Sequence, residues 1–251
     1  GHKNTLSKSQ TSMKGYNEVD RYIQETNMLD YSNTHIQKLI QNRGWLELSD
    51  FDRIKAIYNY VRDEILFGYN IDDSIPASKV LADGYGQCNT KGTLFMALLR
   101  ACNIPCRVHG FTIDKKLQKG AMTGLVYRSA PKNVLHSWVE VFFEDIWYEL
   151  EAFILDNEYF SKLQQIHSDC VGAFCGYGVA VKDFQHPVID FDGNNTYIQS
   201  EGINQDFGIY DCPDDLLKEH RQEISVIKAF AYRNLGRHLM NRNVKKIRNS
   251  I

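Results

Sequence analysis

Long hydrophobic runs are missing from this 251-residue chain. No stretch of roughly 18 or more apolar residues occurs, so no transmembrane helix is expected. A charge of one sign is missing too. The 29 Lys and Arg nearly balance 31 Asp and Glu, leaving a formal net charge of −2. Nothing global therefore argues for nucleic acid or an anionic membrane as partner. Cysteine is sparse: Cys88, Cys102, Cys106, Cys170, Cys175 and Cys212 fall far below the density of a disulfide scaffold. No CxxC pair is present. A zinc site from Cys102, Cys106, Cys170 and Cys175 is conceivable, but small buried hydrophobes are the favoured reading, and no metal or cofactor is expected. No internal repeat or low-complexity tract is evident. The polar start, Gly1-His2-Lys3-Asn4, is not a signal peptide, and its first two residues look like a cloning remnant. A cytoplasmic setting with reduced thiols is the expectation, although a leader removed upstream is compatible with this start.

The composition, 43% hydrophobic and 24% charged, suits a globular protein. Residues 1–16 are polar and expected to be poorly ordered. Apolar spacing over residues 17–43 predicts two short helices. Ser49 offers an N-cap to a further helix, in which Ile54, Ile57, Tyr58, Val61 and Ile65 recur on one face. A helix from Cys88 carries the stripe Leu94, Ala97, Leu98, Ala101 and ends at Asn103 and Pro105. Residues 106–112 read as a strand and residues 114–133 as a long surface loop. Residues 136–143 and 146–154 read as an antiparallel hairpin turning at Glu144-Asp145. Expected core positions are Leu94, Leu98, Val108, Val139 and Val141. Beyond about residue 160 the chain becomes glycine-punctuated, and residues 216–248 read as a basic helical tail with a solvated face. The division is an N-terminal helical extension (1–45), a catalytic core (46–160) and a loop-rich and helical extension (161–251).

The chemistry centres on Asp83-Gly84-Tyr85-Gly86-Gln87-Cys88. A cysteine at a helix mouth meets unpaired backbone N–H groups and a partial positive charge, which favour the thiolate nucleophile. Gly84 and Gly86 permit the tight backbone that presents the sulfur. His136 opens the first hairpin strand and Glu151 closes the second. With a two- or four-residue turn, facing positions pair so that Glu151 lies opposite Trp138 and diagonal to His136, on one face. Glu149 faces Glu140, one step further away, so Glu151 is the better partner; a three-residue turn would reverse its face. A Cys, a His and a carboxylate are the parts of an activated thiol. Tyr85, Gln87 and Trp138 flank them and are assigned to substrate binding. Tyr177 and Phe207 are further aromatics that could shape a pocket, with core packing their commoner use.

These residues resemble a known family. Gly84-Tyr85-Gly86-Gln87-Cys88 looks like the nucleophile motif of the transglutaminase-like superfamily. Residues 98–108 resemble its helix-to-strand segment, His136-Ser137-Trp138-Val139-Glu140-Val141 its histidine strand, and Trp147-Tyr148-Glu149-Leu150-Glu151 the segment of its third residue. The resemblance covers about residues 50–155. It implies an α+β, papain-like core with the cysteine helix packed on an antiparallel sheet. It also implies thiol-dependent acyl transfer on peptide or protein amides, as peptidase, amidase or protein-glutamine acyltransferase. The usual third residue of the family is aspartate, where this chain has Glu151. Nothing looks like a calcium loop. The competing expectation is a catalytically inactive module that binds a peptide or partner.

Overall fold

The computed structural model describes residues 19–221 and 226–250. The expectation for residues 1–16 lies outside the described residues, as does the part of the expected tail helix at 222–225. The helices are α1 (Thr34–Arg43), α2 (Asp50–Asp63), α3 (Ala77–Asp83), α4 (Cys88–Ala101), α5 (Gly124–Ser129), α6 (Asn157–Ile166), α7 (Pro213–Glu219), α8 (Val226–Ala231) and α9 (Arg237–Arg248). The strands are β1 (Leu66–Phe67), β2 (Tyr85–Gly86), β3 (Cys106–Asp114), β4 (Asn133–Phe143), β5 (Ile146–Leu150), β6 (Phe174–Gly176), β7 (Val179–Val181) and β8 (Ile203–Tyr210).

Local chemistry explains the main boundaries. Asn33 caps α1 by accepting from the His35 and Ile36 amides, and Gly44 ends it at φ +66°. Ser49 accepts from the Asp52 amide to open α2, as its sequence signal predicts. The expected face of α2, Ile54, Ile57, Tyr58 and Val61, is buried, and so is Ile65 just beyond its end. Helix α4 is buried from Cys88 to Arg100, so it is a central core helix rather than a surface one. It lies against the sheet, where Gly92 lets it approach Val139. All five expected core residues are buried.

The principal sheet is antiparallel with order β5-β4-β3-β8. The architecture is mixed α+β, with helices packed on an antiparallel sheet. The hairpin turns at Glu144 and Asp145, at φ +49° and +63°, and pairs Val139 with Leu150 and Glu140 with Glu149. Those are the facing pairs expected from a two-residue turn. The second strand is shorter than expected, ending at Leu150 rather than 154. Residues 151–155 leave the sheet because the Glu151 amide turns to the Thr196 carbonyl and the Ile154 amide to the Glu151 carbonyl.

Three further expectations are corrected. Residues 114–133 are not only a surface loop, since a 3₁₀ turn at Lys115–Gln118 and helix α5 interrupt them. Leu117 and Ala121 are buried there, because Gly178 and Tyr177 hydrogen-bond to the Leu117 and Lys119 carbonyls. Strand β8 was unforeseen: it is an edge strand with mostly exposed or half-buried residues, so it lacks an apolar alternation. The basic tail is not wholly solvated either. Arg248 at the end of α9 is buried and pairs with Asp156 at 2.8 Å.

Candidate active site

Cys88 is the first residue of α4, and only 6% of it is exposed. Its sulfur lies against the backbone amides of Asn89 and Ser137. Ser137 follows His136 on β4, so helix mouth and histidine strand meet at the sulfur. The imidazole of His136 and the carboxylate of Glu151 are both fully buried. His136 Nε2 lies 2.7 Å from Glu151 Oε2. The other carboxylate oxygen, Oε1, accepts from the Ile198 amide at 2.6 Å and from the Gln199 amide. A carboxylate accepting two backbone N–H groups acts as acceptor toward the ring as well, so Nε2 carries the proton. His136 Nδ1 is buried and has no hydrogen-bond partner, and in the neutral ring of this tautomer it is the atom with the lone pair.

Asp73, unforeseen in the sequence, braces the residues on either side of Cys88. Its Oδ1 accepts from Gln87 Nε2 at 2.9 Å and its Oδ2 from Asn89 Nδ2 at 3.1 Å. Asn89 Nδ2 also donates to the Leu135 carbonyl at 3.2 Å, and Ser137 Oγ donates to Asn89 Oδ1 at 2.7 Å. This chain of bonds ties helix mouth to histidine strand. Burial pushes the Cys88 thiol well above its usual range, and the Asp73 carboxylate adds to that; the Asn89 and Ser137 amides pull the other way. The thiolate expected from the helix N-terminus alone is therefore not the resting form, because desolvation outweighs the helix-mouth amides.

The flanking residues lie as follows. Gln87 accepts from the Asn70 amide at 2.9 Å, so with its bond to Asp73 both ends of its side-chain amide are engaged. Trp138 is buried, donates from Nε1 to Glu140 at 3.3 Å and packs on Phe111. Tyr85 is half-buried, with its ring beside Gly68. Tyr177 stands beside Gly120, and Phe207 stacks on His220 at 3.8 Å between ring centres. Cys102, Cys106 and Cys212 are buried thiols, whereas Cys175 is exposed, against its reading as a small core residue. Among the described residues, donor atoms of His109, Glu140 and Glu149 lie within 4.8 Å of one another. They are already engaged: Arg107 and Trp138 hold Glu140, Asp206 holds His109 at 2.7 Å, and Tyr197 holds Glu149.

Residues 40–152 match the family model of the transglutaminase-like superfamily. That segment of the chain is similar to the transglutaminase-like superfamily. A crystal structure from Cytophaga hutchinsonii, of a protein provisionally named a cysteine protease, is similar at a TM-score of 0.45 and 13% identity. The match covers 79% of this chain and 48% of that one, so this chain spans about half the length of that structure. No curated protein matches the sequence. Cys88, His136 and Glu151 all fall inside the matched residues, while Thr196, Ile198 and Gln199, which meet Glu151, fall outside them. Asn89 and Ser137 could have been suspected from their adjacency to Cys88 and His136; Asp73 and Thr196 carry no local signal. Among the described residues, no helix is long and apolar enough to cross a membrane.

Proposed function

We propose that this protein is a thiol-dependent acyl-transfer enzyme acting on peptide or protein amides, with Cys88 as nucleophile and His136 as base. The observation that carries this reading is the buried His136 ring. Its Nε2 is bound to Glu151 and its Nδ1 is unpartnered, one residue along β4 from the amide that touches the Cys88 sulfur. Nδ1 takes the thiol proton as Sγ attacks the amide carbon. Amides of the first turn of α4 hold the oxyanion, since a helix mouth offers unpaired N–H donors. The C–N bond breaks, the imidazolium proton passes to the leaving amine, and a thioester remains on Cys88. Water then yields an acid, or a second amine yields a new amide, with His136 again taking the proton of the attacking group. Glu151 holds the ring tautomer and supports the imidazolium throughout. A raised thiol fits proton removal coupled to attack rather than a standing ion pair.

Intact-mass spectrometry with a glutamine-containing peptide amide, with and without added methylamine, tests this. A thioester adduct on Cys88 is expected, with turnover lost in Cys88→Ala at unchanged thermal stability. Turnover that persists in Cys88→Ala would refute the reading. A second reading, a peptide-binding module without chemistry, is favoured by the burial of Cys88 and His136. It predicts peptide binding with no adduct at any pH.

A further inference from the structure

We infer that Thr196 is a positioning residue: the turn at residues 196–199, outside the residues that match the family model, clamps Glu151 and thereby aims the His136 ring. The catalytic consequence rests on the acyl-transfer reading above; the geometry of the clamp does not.

Glu151 lies one residue beyond β5. The last strand pair toward it is Val139 with Leu150, so the sheet no longer holds its backbone. The 196–199 turn takes over. Thr196 donates from its amide to the Glu149 carbonyl at 3.0 Å, and its own carbonyl accepts from the Glu151 amide at 3.1 Å. Its Oγ1 lies 3.3 Å from the Glu151 amide and 3.2 Å from the Ala152 amide. Two residues on, the Ile198 and Gln199 amides hold Oε1. With Oε1 fixed on one side and Oε2 on the ring, the carboxyl group has lost its freedom to rotate. The Glu151 side chain is long enough for one carboxyl group to reach both the turn and the ring. Thr196 is fully buried, and its Oγ1 lies 3.1 Å from the Tyr58 hydroxyl, which in turn meets the Ile189 carbonyl at 2.7 Å. Helix α2 thus braces the clamp from behind.

A double-mutant cycle on the full chain separates aiming from mere stability. Thr196→Val keeps the shape and removes the acceptor for the Ala152 amide. It is expected to lower kcat by ~10–100-fold with KM changed less than about threefold, since small misplacements near chemistry are that costly. Thr196→Ser should restore kcat to within about threefold. In a Glu151→Gln background, Thr196→Val should cost less than about twofold, because the group being aimed is already disabled. The proton resonance of the His136 Nε2–H bonded to Glu151 should weaken in Thr196→Val and persist in Thr196→Ser. If Thr196→Val does not fold, Tyr58→Phe loosens the same hydroxyl and should move kcat and the resonance in the same directions. An equal kcat loss in both backgrounds, or an unchanged resonance in a folded variant, would overturn the inference. The two readings fail separately: turnover surviving Cys88→Ala sinks the acyl-transfer reading, whereas the resonance judges the clamp even in a chain with no turnover.

Discussion

At the scale of single residues, the balance at Cys88 is decided by burial. A helix mouth supplies stabilising amides, but a thiolate there also loses its water and meets the Asp73 carboxylate. Asp73 is itself held toward its neutral form by burial, with the amides of Gln87 and Asn89 opposing. Removing its charge should release part of the upward push on the thiol. In Asp73→Asn, a larger fraction of Cys88 is ionised at any given pH, so iodoacetamide should label it faster and its labelling midpoint should move to lower pH. Exposed Cys175 would label in the same assay, so both proteins carry Cys175→Ser. Peptide-mapped rates between pH 6 and 10 make the comparison, and superimposable profiles would show that Asp73 acts only as a brace. At Glu151, Glu151→Gln keeps the shape but lets an amide N–H face the ring. It should lower kcat by ~10²–10⁴-fold, by analogy with the serine-protease acid; unchanged kcat would leave Glu151 without a role in orienting His136.

At the scale of elements, the β4–β5 hairpin brings His136 and Glu151 together, and its turn sets the register. Glu144 and Asp145 both occupy left-handed backbone, which a two-residue hairpin of this twist requires but these residues do not favour. Replacing them by Asn-Gly should stabilise the protein by about 0.5–1 kcal/mol, or roughly 1–4 °C in Tm, with kcat unaltered. A fall in Tm would mean that the Glu144 or Asp145 side chains contribute more than their backbone strain costs. This hairpin was legible in the sequence because alternation and a two-residue turn leave one register with the apolar face inward. Helix α4 was legible from the stripe of Leu94, Leu98 and Ala101. What the sequence hid is what local pattern does not encode. Strand β8 is a polar edge strand without alternation, and buried Leu117 is met by Gly178, some sixty residues away. Asp73 and Thr196 reach the site only through tertiary contacts, so no spacing within their own segments points to them.

At the scale of the whole molecule, the C-terminal helix and the middle of the chain meet in a buried charge nest beside the nucleophile helix. Asp156 opens α6 by accepting from the Tyr159 amide, takes the Phe67 amide at 2.8 Å, and pairs with Arg248 from α9. Burial opposes the Asp156 charge, yet Arg248 and these amides hold its carboxyl below the usual range. Lys91, one turn into α4, is fully buried close by and donates to the Arg62 and Ile154 carbonyls at 3.1 and 3.0 Å. Desolvation lowers it from 10.5 to about 7, with Asp156 opposing that shift. Between about pH 7 and 10.5 the unfolded chain therefore binds a proton at this residue that the folded chain does not. Stability rises with pH wherever the unfolded state binds more protons, by about 1.4 kcal/mol per pH unit for one proton. Below about pH 7 both states are charged and the burial penalty is fully present; above about 10.5 both are neutral and it vanishes. Lys91→Met keeps the length of the side chain, loses the two hydrogen bonds and cannot titrate. Relative to this variant, the parent protein should gain stability steadily from pH 7 to 10 in urea unfolding. The variant should compare best near pH 6, where the parent carries a buried ammonium, and worst near pH 10, where the neutral lysine still donates its bonds. Parallel pH profiles for the two proteins would mean that Lys91 keeps its charge in the fold, held by Asp156 rather than neutralised by burial.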